Sequence, residues 1–174
     1  MDSQSSVLFI GGRSGVGKST VGAEVHEQLT RRDVAHAFIE GDNLDMAHPP
    51  PWEHQLAEKN LAAMWNNYRS LGYRHLVYTN TVSVLVTDDL VEAMGDKPSA
   101  TAVLLCADDD TARERLSQRE IGTALAWHVQ RSDHMAQRLE AGAPPWVHRV
   151  NTAGRAVVDI ADEIICLTAW GRAS

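Results

Sequence analysis

A glycine-rich stretch near the start of the chain carries the residue types best suited to chemistry. Residues 12–19 fit the spacing Gly-x4-Gly-Lys-Ser without a mismatch. Glycines let the backbone curl so that successive N–H groups point at phosphate oxygens, and the dipole of a following helix adds positive charge. In this pattern Lys18 reaches the β- and γ-phosphates, and the Ser19 hydroxyl ligates Mg²⁺. The stretch therefore predicts a loop that binds a nucleoside triphosphate. Its predicted nucleotide contacts are Gly12, Arg13, Ser14, Gly15, Val16, Gly17, Lys18, Ser19 and Thr20.

The elements around this loop are those that the motif requires. The apolar residues 7–10 predict a buried strand before it, and residues 21–29 have the apolar spacing of an amphipathic helix after it. Strand and helix signals continue to alternate along the chain, which favours a parallel sheet with helices on both faces. We predict one α/β domain over residues 1–174, with five strands in a three-layer αβα arrangement. The later strands are expected at residues 35–39, 75–79, 100–106 and 147–151.

Composition narrows the class of protein. The net charge of −7 argues against a general nucleic-acid binder, because neutralising phosphates requires a basic surface. No apolar run approaches the ~20 residues of a membrane span, and the N-terminus lacks the basic region of a signal peptide. The two cysteines and eight histidines show no metal-binding spacing. We expect a cytoplasmic protein that has neither nucleic acid nor a membrane as a partner.

Acidic residues follow the second predicted strand. In open α/β sheets, ligands bind beyond the carboxyl ends of the strands, and Asp42 lies three residues past residue 39. A carboxylate there can orient an acceptor hydroxyl and accept its proton, or hold a water on Mg²⁺. The alternative is a solvated turn residue, since Gly-Asp-Asn is ordinary turn sequence. Glu40 and Asp45 are weaker candidates for the same role.

Uncharged polar residues follow the third predicted strand. Asn80 and Thr81 stand where many nucleotide hydrolases carry an aspartate. They either bind a substrate or a water on Mg²⁺, or cap the next helix, and the residue types do not separate the two interpretations.

Arginines after the fourth predicted strand supply positive charge. Phosphoryl transfer needs cations around the equatorial oxygens, and the arginine fork matches phosphate geometry. We predict that Arg119 and Arg131 are catalytic and belong to a helical lid at approximately residues 119–140. Arg115 is a predicted nucleotide contact. Arg113 and Arg138 are expected to be ordinary solvated arginines on the helix surface.

Two further loops carry candidate ligand contacts. Residues 151–155 can lie along an adenine ring with Arg155 stacked on it. Thr152 can also cap the last helix, and the two interpretations are compatible. Trp52 and Trp146 lie in proline-rich loops. They either form a flat pocket for an aromatic acceptor or anchor their loops to the body of the protein.

Taken together, these motifs resemble the P-loop kinases of the nucleoside-monophosphate-kinase fold. The small-molecule branches are the most similar: adenylylsulfate, gluconate and shikimate kinases, chloramphenicol phosphotransferase and the tunicamycin-resistance proteins. Residues 40–43, Glu-Gly-Asp-Asn, are similar to the Asp-Gly-Asp-Asn segment of adenylylsulfate kinases. Residues 78–81 and 115–127 look more like the tunicamycin-resistance type. The resemblance implies a P-loop NTPase sheet with strand order 2-3-1-4-5.

The same resemblance implies roles for several residues. Asp42 would be the base or the acid that positions the substrate, Arg119 and Arg131 the lid arginines, and Arg155 a contact to the nucleotide base. ATP and Mg²⁺ would be the cofactors, with Ser19 and Asp42 as metal contacts.

The expected activity is transfer of the γ-phosphoryl group of Mg·ATP to a hydroxyl of a small molecule, either a metabolite or an antibiotic, by a monomer or homodimer. One alternative is a nucleoside or nucleotide kinase, although the Asp-Gly-Phe-Pro-Arg stretch of many such kinases is missing. Another is an ATP-binding regulatory switch without an acceptor. The acceptor pocket would be built from residues 43–54 and 120–148, where no motif names the substrate.

Overall fold

The computed structural model describes residues 4–119 and 124–170, without the side chains of residues 119, 124 and 125. The strands are β1 (Ser6–Gly11), β2 (Ala37–Glu40), β3 (His75–Thr79), β4 (Ser99–Cys106) and β5 (His148–Asn151). The helices are α1 (Lys18–Arg31), α2 (Leu56–Ser70), α3 (Thr87–Met94), α4 (Asp109–Arg119), α5 (Ala124–Gly142) and α6 (Val157–Leu167). Short 3₁₀ turns occupy Gly41–Asn43, Trp52–His54 and Ser83–Leu85.

The five strands form one parallel sheet in the order β2-β3-β1-β4-β5. This confirms the predicted fold class and strand order. Because β1 is central, Ile10 lies beside Thr79 of β3 on one side and beside Val103 of β4 on the other. The carboxyl ends of β1, β2 and β3 therefore meet at one edge of the sheet.

Helices cover both faces of the sheet, because side chains along each strand alternate in direction. Within β1, Val7 and Phe9 belong to one buried cluster, and Leu8 and Ile10 belong to the other. The first cluster includes Leu61 and Trp65 of α2, Leu90 and Met94 of α3, and Leu139 of α5. The second includes Val25 and Leu29 of α1, and Ile160 and Ile164 of α6. Three layers result, as the sequence predicts.

The segment after β3 is not one continuous helix. It forms the 3₁₀ turn Ser83–Leu85, then α3 from Thr87, because Val86 has the non-helical angles φ −128° and ψ 28°. The Ser83 hydroxyl donates to the Asn80 carbonyl at 3.1 Å, which stabilises the tighter turn. Within residues 4–119 and 124–170, no helix combines the length and apolar character that crossing a membrane requires.

Candidate functional site

The loop between β1 and α1 has the backbone that the glycine motif predicts. Gly12, Gly15 and Gly17 have φ values of +151°, +84° and +100°, in the region that side chains rarely adopt. A Cβ on Gly15 would lie 2.7 Å from the carbonyl oxygen of Ala112 in α4. The loop therefore curls tightly against α4. The first turn of α1 carries no acidic residue, so the positive end of the helix dipole is available to an anion.

Arg13 ties this loop to two helices from the outside. Its side chain is only 3% exposed. Its guanidinium donates to Asp109 of α4 at 2.7 Å, to Asp133 of α5 at 3.1 Å and to the Ala107 carbonyl at 3.2 Å. Because the side chain is committed to these partners, the backbone is the part of Arg13 that remains for a ligand.

Arg115 supports the loop from α4. Its guanidinium donates to the Val16 carbonyl at 3.1 Å and to both the hydroxyl and the carbonyl of Thr152, at 3.1 and 3.2 Å. The Thr152 hydroxyl also lies 3.2 Å from the Val16 carbonyl. Arg115 therefore joins the loop to the β5–α6 connection, and its predicted contact to nucleotide stays a prediction. The helix-cap interpretation of Thr152 is wrong, because α6 starts after Ala156 and has no side-chain cap.

Lys18 and Ser19 stand where α1 begins. The Lys18 ammonium donates to the Arg13 carbonyl at 3.4 Å, across the mouth of the loop. Ser19 is exposed at the first turn of the helix. A cation and a hydroxyl thus flank the end of the helix that attracts anions.

Asp42 is held at the same edge of the sheet by the residues that follow β3. Its carboxylate accepts from the Asn80 amide at 2.9 Å, the Thr81 backbone N–H at 3.1 Å and the Thr81 hydroxyl at 3.5 Å. The Thr81 carbonyl in turn accepts from the backbone N–H of Gly12 at 3.2 Å. One residue therefore links the carboxylate to the glycine loop. Asn80 and Thr81 do not cap α3, whose N-cap is Val86.

Gly41, which precedes Asp42, is required by close packing that the sequence analysis missed. A Cβ at this position would lie 2.2 Å from Cζ of Tyr78. Burial and the nearby carboxylate of Asp42 raise the pKa of the Tyr78 phenol well above its usual range, so it stays protonated at neutral pH. Tyr78 of β3 therefore packs directly against the Gly41–Asn43 turn that carries Asp42.

A cleft of about 780 Å³, here called the α5 cleft, opens between this edge of the sheet and helix α5. Its lining includes Ser14, Asp42, Trp52, Thr81, Arg131 and Arg138. The volume is in the range of sites for small molecules. Of the three acidic residues proposed as alternatives, Asp42 is the one among these lining residues.

Helix α5 is attached to the glycine loop near its middle and to the core near its C-terminal end. The Ser132 hydroxyl donates to the Ser14 carbonyl at 2.9 Å. The Arg131 guanidinium lies 5.1 Å from the centre of the Trp127 ring, which orients it beside the cleft. Leu139, by contrast, is 1% exposed in the core. Arg119 ends α4, but its side chain and residues 120–123 lie outside the described residues, so its predicted lid role is not observed.

The remaining predicted ligand contacts are Arg155 and the two tryptophans of the proline-rich loops. Arg155 pairs with Glu163 of α6 at 2.6 Å and donates to the Asn151 carbonyl at 3.1 Å. Trp52 and Trp146 are 70% and 48% exposed, so neither is buried as a loop anchor. Trp52 instead lines the α5 cleft.

Comparisons with known proteins agree with this architecture. The adenylylsulphate kinase family model matches residues 4–51, which is less than a third of the chain. No curated protein sequence matches significantly. The tunicamycin resistance protein of Deinococcus radiodurans superposes with a TM-score of 0.65 at 19% identity, covering 94% of this chain and 95% of that one. The APS kinase of Mycobacterium tuberculosis, solved with AMPPNP and APS, has a TM-score of 0.60 at 19% identity, covering 94% and 97%. A gluconokinase from Sinorhizobium meliloti 1021 has a TM-score of 0.60 at 21% identity, covering 94% and 91%.

The strand order, the glycine loop and these superpositions define the class. The chain has the fold of the P-loop small-molecule kinases. At these identities the likeness concerns the fold, and the chemistry must be argued from this chain's own residues.

Proposed function

We propose that this protein is a phosphotransferase that moves the γ-phosphoryl group of Mg·ATP to a hydroxyl of a small molecule, either a metabolite or an antibiotic. One observation carries the proposal. Thr81 bonds both to the Asp42 carboxylate and to Gly12 of the glycine loop, so a proton acceptor is held next to a phosphate-binding loop. Ser14 of the loop and Asp42 both line the α5 cleft, which leaves room for an acceptor between them.

The nucleotide would be held by the backbone of the glycine loop, by Lys18 and by the dipole of α1. Ser19 and Asp42 offer a hydroxyl and a carboxylate oxygen, and oxygen ligands of this kind suit Mg²⁺. Held by these two side chains, Mg²⁺ would supply positive charge that neutralises the phosphates of the nucleotide. The APS kinase that shares the fold was solved with AMPPNP, which supports the use of ATP here.

Asp42 would orient the acceptor hydroxyl and accept its proton. Its hydrogen bonds from Asn80 and Thr81 set the direction of the carboxylate, and positioning of this kind supplies much of the rate of phosphoryl transfer. Arg131, oriented by Trp127 and lining the same cleft, would add to Lys18 a second positive charge for the transferred group. Arg119 is proposed for the same role from the sequence alone.

The first test is the release of ADP from Mg·ATP, with and without pooled acceptors: nucleosides, nucleotides, sugars and hydroxylated antibiotics. We expect one pool to stimulate release and to show saturation. Stimulation by nucleosides or their monophosphates alone would favour the alternative of a nucleoside or nucleotide kinase. Slow hydrolysis that no pool changes would contradict the proposal and favour an ATP-binding switch.

A further inference from the structure

Two arginines on one face of α5 set the α5 cleft apart from an ordinary polar cleft. Arg131 and Arg138 are seven residues apart, so they share a helix face and lie about 10 Å apart along the axis. Both line the cleft. Among the residues that the structure describes, neither guanidinium has a carboxylate within ion-pair distance, whereas the nearby Arg113 pairs with Asp133 at 2.6 Å and Arg149 with Glu140 at 3.0 Å.

The two arginines lie toward different ends of the cleft. Ser132, which follows Arg131, donates to the Ser14 carbonyl of the glycine loop at 2.9 Å. Leu139, which follows Arg138, is buried in the cluster that contains Val84 of the segment after β3. Arg131 is therefore nearer the glycine loop, and Arg138 is about two helical turns farther away. The second cation is displaced from the loop that would hold the γ-phosphate.

The charge pattern indicates the chemistry of a ligand that this cleft can bind. In a chain of net charge −7, two arginines beside one carboxylate, with no ion pair to any described residue, give this cleft a local excess of positive charge. The planar guanidinium fork matches carboxylates and phosphate or sulfate esters. Trp52, 70% exposed, and Met135 add apolar surface for the body of a small molecule.

We infer that Arg138 binds an anionic group of the acceptor, a carboxylate or a phosphate or sulfate ester, while the acceptor hydroxyl lies at Asp42. This inference rests on the proposed function, because it names the acceptor class of the same cleft. Arg138 is then a specificity-determining residue, although the sequence assigns it to the ordinary surface.

The test measures binding separately from turnover. Isothermal titration of the Mg·AMPPNP complex would use matched pairs that differ in an anionic group: gluconate and glucitol, shikimate and its methyl ester, and adenosine 5′-monophosphate and adenosine. The first two pairs probe a carboxylate, and the third probes a phosphate ester. We expect the anionic member of at least one pair to bind about 10- to 100-fold more tightly than its neutral partner.

Three variants distinguish a specific contact by Arg138 from the loss of any one positive charge on the protein. Arg138→Gln should remove the preference for the anion, and Arg138→Lys should restore part of it, since an ammonium keeps the charge but loses the fork. Arg149→Gln is the matched control, because that arginine is also partly exposed but pairs with Glu140 and is not among the cleft-lining residues. Thermal unfolding of each variant checks that the fold is kept.

Three results would overturn the inference: equal binding within every pair, a preference that survives Arg138→Gln, or no anionic probe bound at millimolar concentration. Release of ADP with the same compounds keeps the two proposals apart. Turnover of neutral acceptors alone would contradict the anion-binding role of Arg138 and would still support the proposed kinase activity. Anion binding that depends on Arg138, without turnover of any acceptor, would contradict the proposed kinase activity and would still support the anion-binding role of Arg138.

Discussion

The glycine loop and the α5 cleft meet at Ser14, yet they are built in opposite ways. Arg13, 3% exposed, is bonded to carboxylates of two helices, and Arg115 holds the Val16 carbonyl from α4. The cleft, by contrast, is lined by exposed side chains such as Trp52, and Arg138 has no ion pair among the described residues. A loop that must place backbone N–H groups on phosphate gains from rigidity, whereas a cleft that must select its ligand keeps side chains available.

The largest expected effect lies on the loop side of this comparison. Lys18→Ala should reduce turnover by on the order of 10³-fold, because the ammonium would no longer neutralise the β- and γ-phosphates. The measurement is ADP release under saturating acceptor, with thermal unfolding as the check on the fold. Turnover equal to that of the original protein would mean that the loop is not catalytic.

A smaller loss is expected at the junction of the two regions. Asp42→Asn should lower kcat by about 10²-fold, because an amide cannot accept the proton of the acceptor hydroxyl. The KM for ATP should change little, since the nucleotide is held by the loop. The control is Asp45→Asn, a nearby acidic residue that is not among the cleft-lining residues. If Asp42→Asn keeps its rate while Asp45→Asn loses it, the base is assigned to the wrong carboxylate.

The third prediction asks whether the loop positions the cleft. Asp133 bonds to Arg13 of the loop at 3.1 Å and to Arg113 at 2.6 Å, and it lies two residues after Arg131. Asp133→Asn should lower kcat by about tenfold, because α5 and its Arg131 would no longer be held in register with the loop. The KM for ATP should stay within a factor of about two, since Arg13 keeps its bond to Asp109.

A double-mutant cycle distinguishes positioning from general destabilisation. If Asp133 acts through Arg131, Asp133→Asn should add little to Arg131→Ala. Asp110→Asn is the control of equal charge, because that side chain is 100% exposed and lies 3.9 Å from Arg113. Additive effects of Asp133→Asn and Arg131→Ala, or an equal loss in Asp110→Asn, would show that loop and cleft are independent.

The smallest effect is expected far from both regions, at the amino ends of the strands. Burial lowers the pKa of His36 and of His75 below 6.5, and a neighbouring imidazole contributes in each case. Between the lowered pKa and 6.5 the unfolded chain binds more protons than the folded chain. The free energy of unfolding should therefore be highest above about pH 6.5 and fall as the pH drops through this window.

Urea unfolding at a series of values between about pH 5 and pH 8 measures this loss. His36→Gln should make the stability less dependent on pH. His148→Gln, which removes an exposed imidazole at the start of β5, is the control. Constant stability across the series, or equal slopes in both variants, would contradict the assignment. The KM for the acceptor should change little over the same pH range, because the two histidines lie at the other end of the sheet.

Local sequence patterns were sufficient for the fold and for one half of the site. The spacing of residues 12–19 and the alternation of strands and helices predict the glycine loop and the parallel sheet, because these depend on backbone geometry and on apolar periodicity. The strand order was implied by the resemblance to the P-loop kinases. Even here the contacts were not foreseen: the partners of Arg13 lie about 100 residues away along the chain, at Asp109 and Asp133.

The other half of the site depends on how distant segments pack. Asp42 is distinguished from Glu40 and Asp45 by hydrogen bonds from Asn80 and Thr81, and the position of Arg138 by the way α5 lies across the edge of the sheet. A carboxylate or an arginine looks the same in the sequence whether it faces solvent or a cleft. Its surroundings are set by long-range packing. The glycine loop could therefore be predicted from the sequence, whereas the α5 cleft required the folded structure.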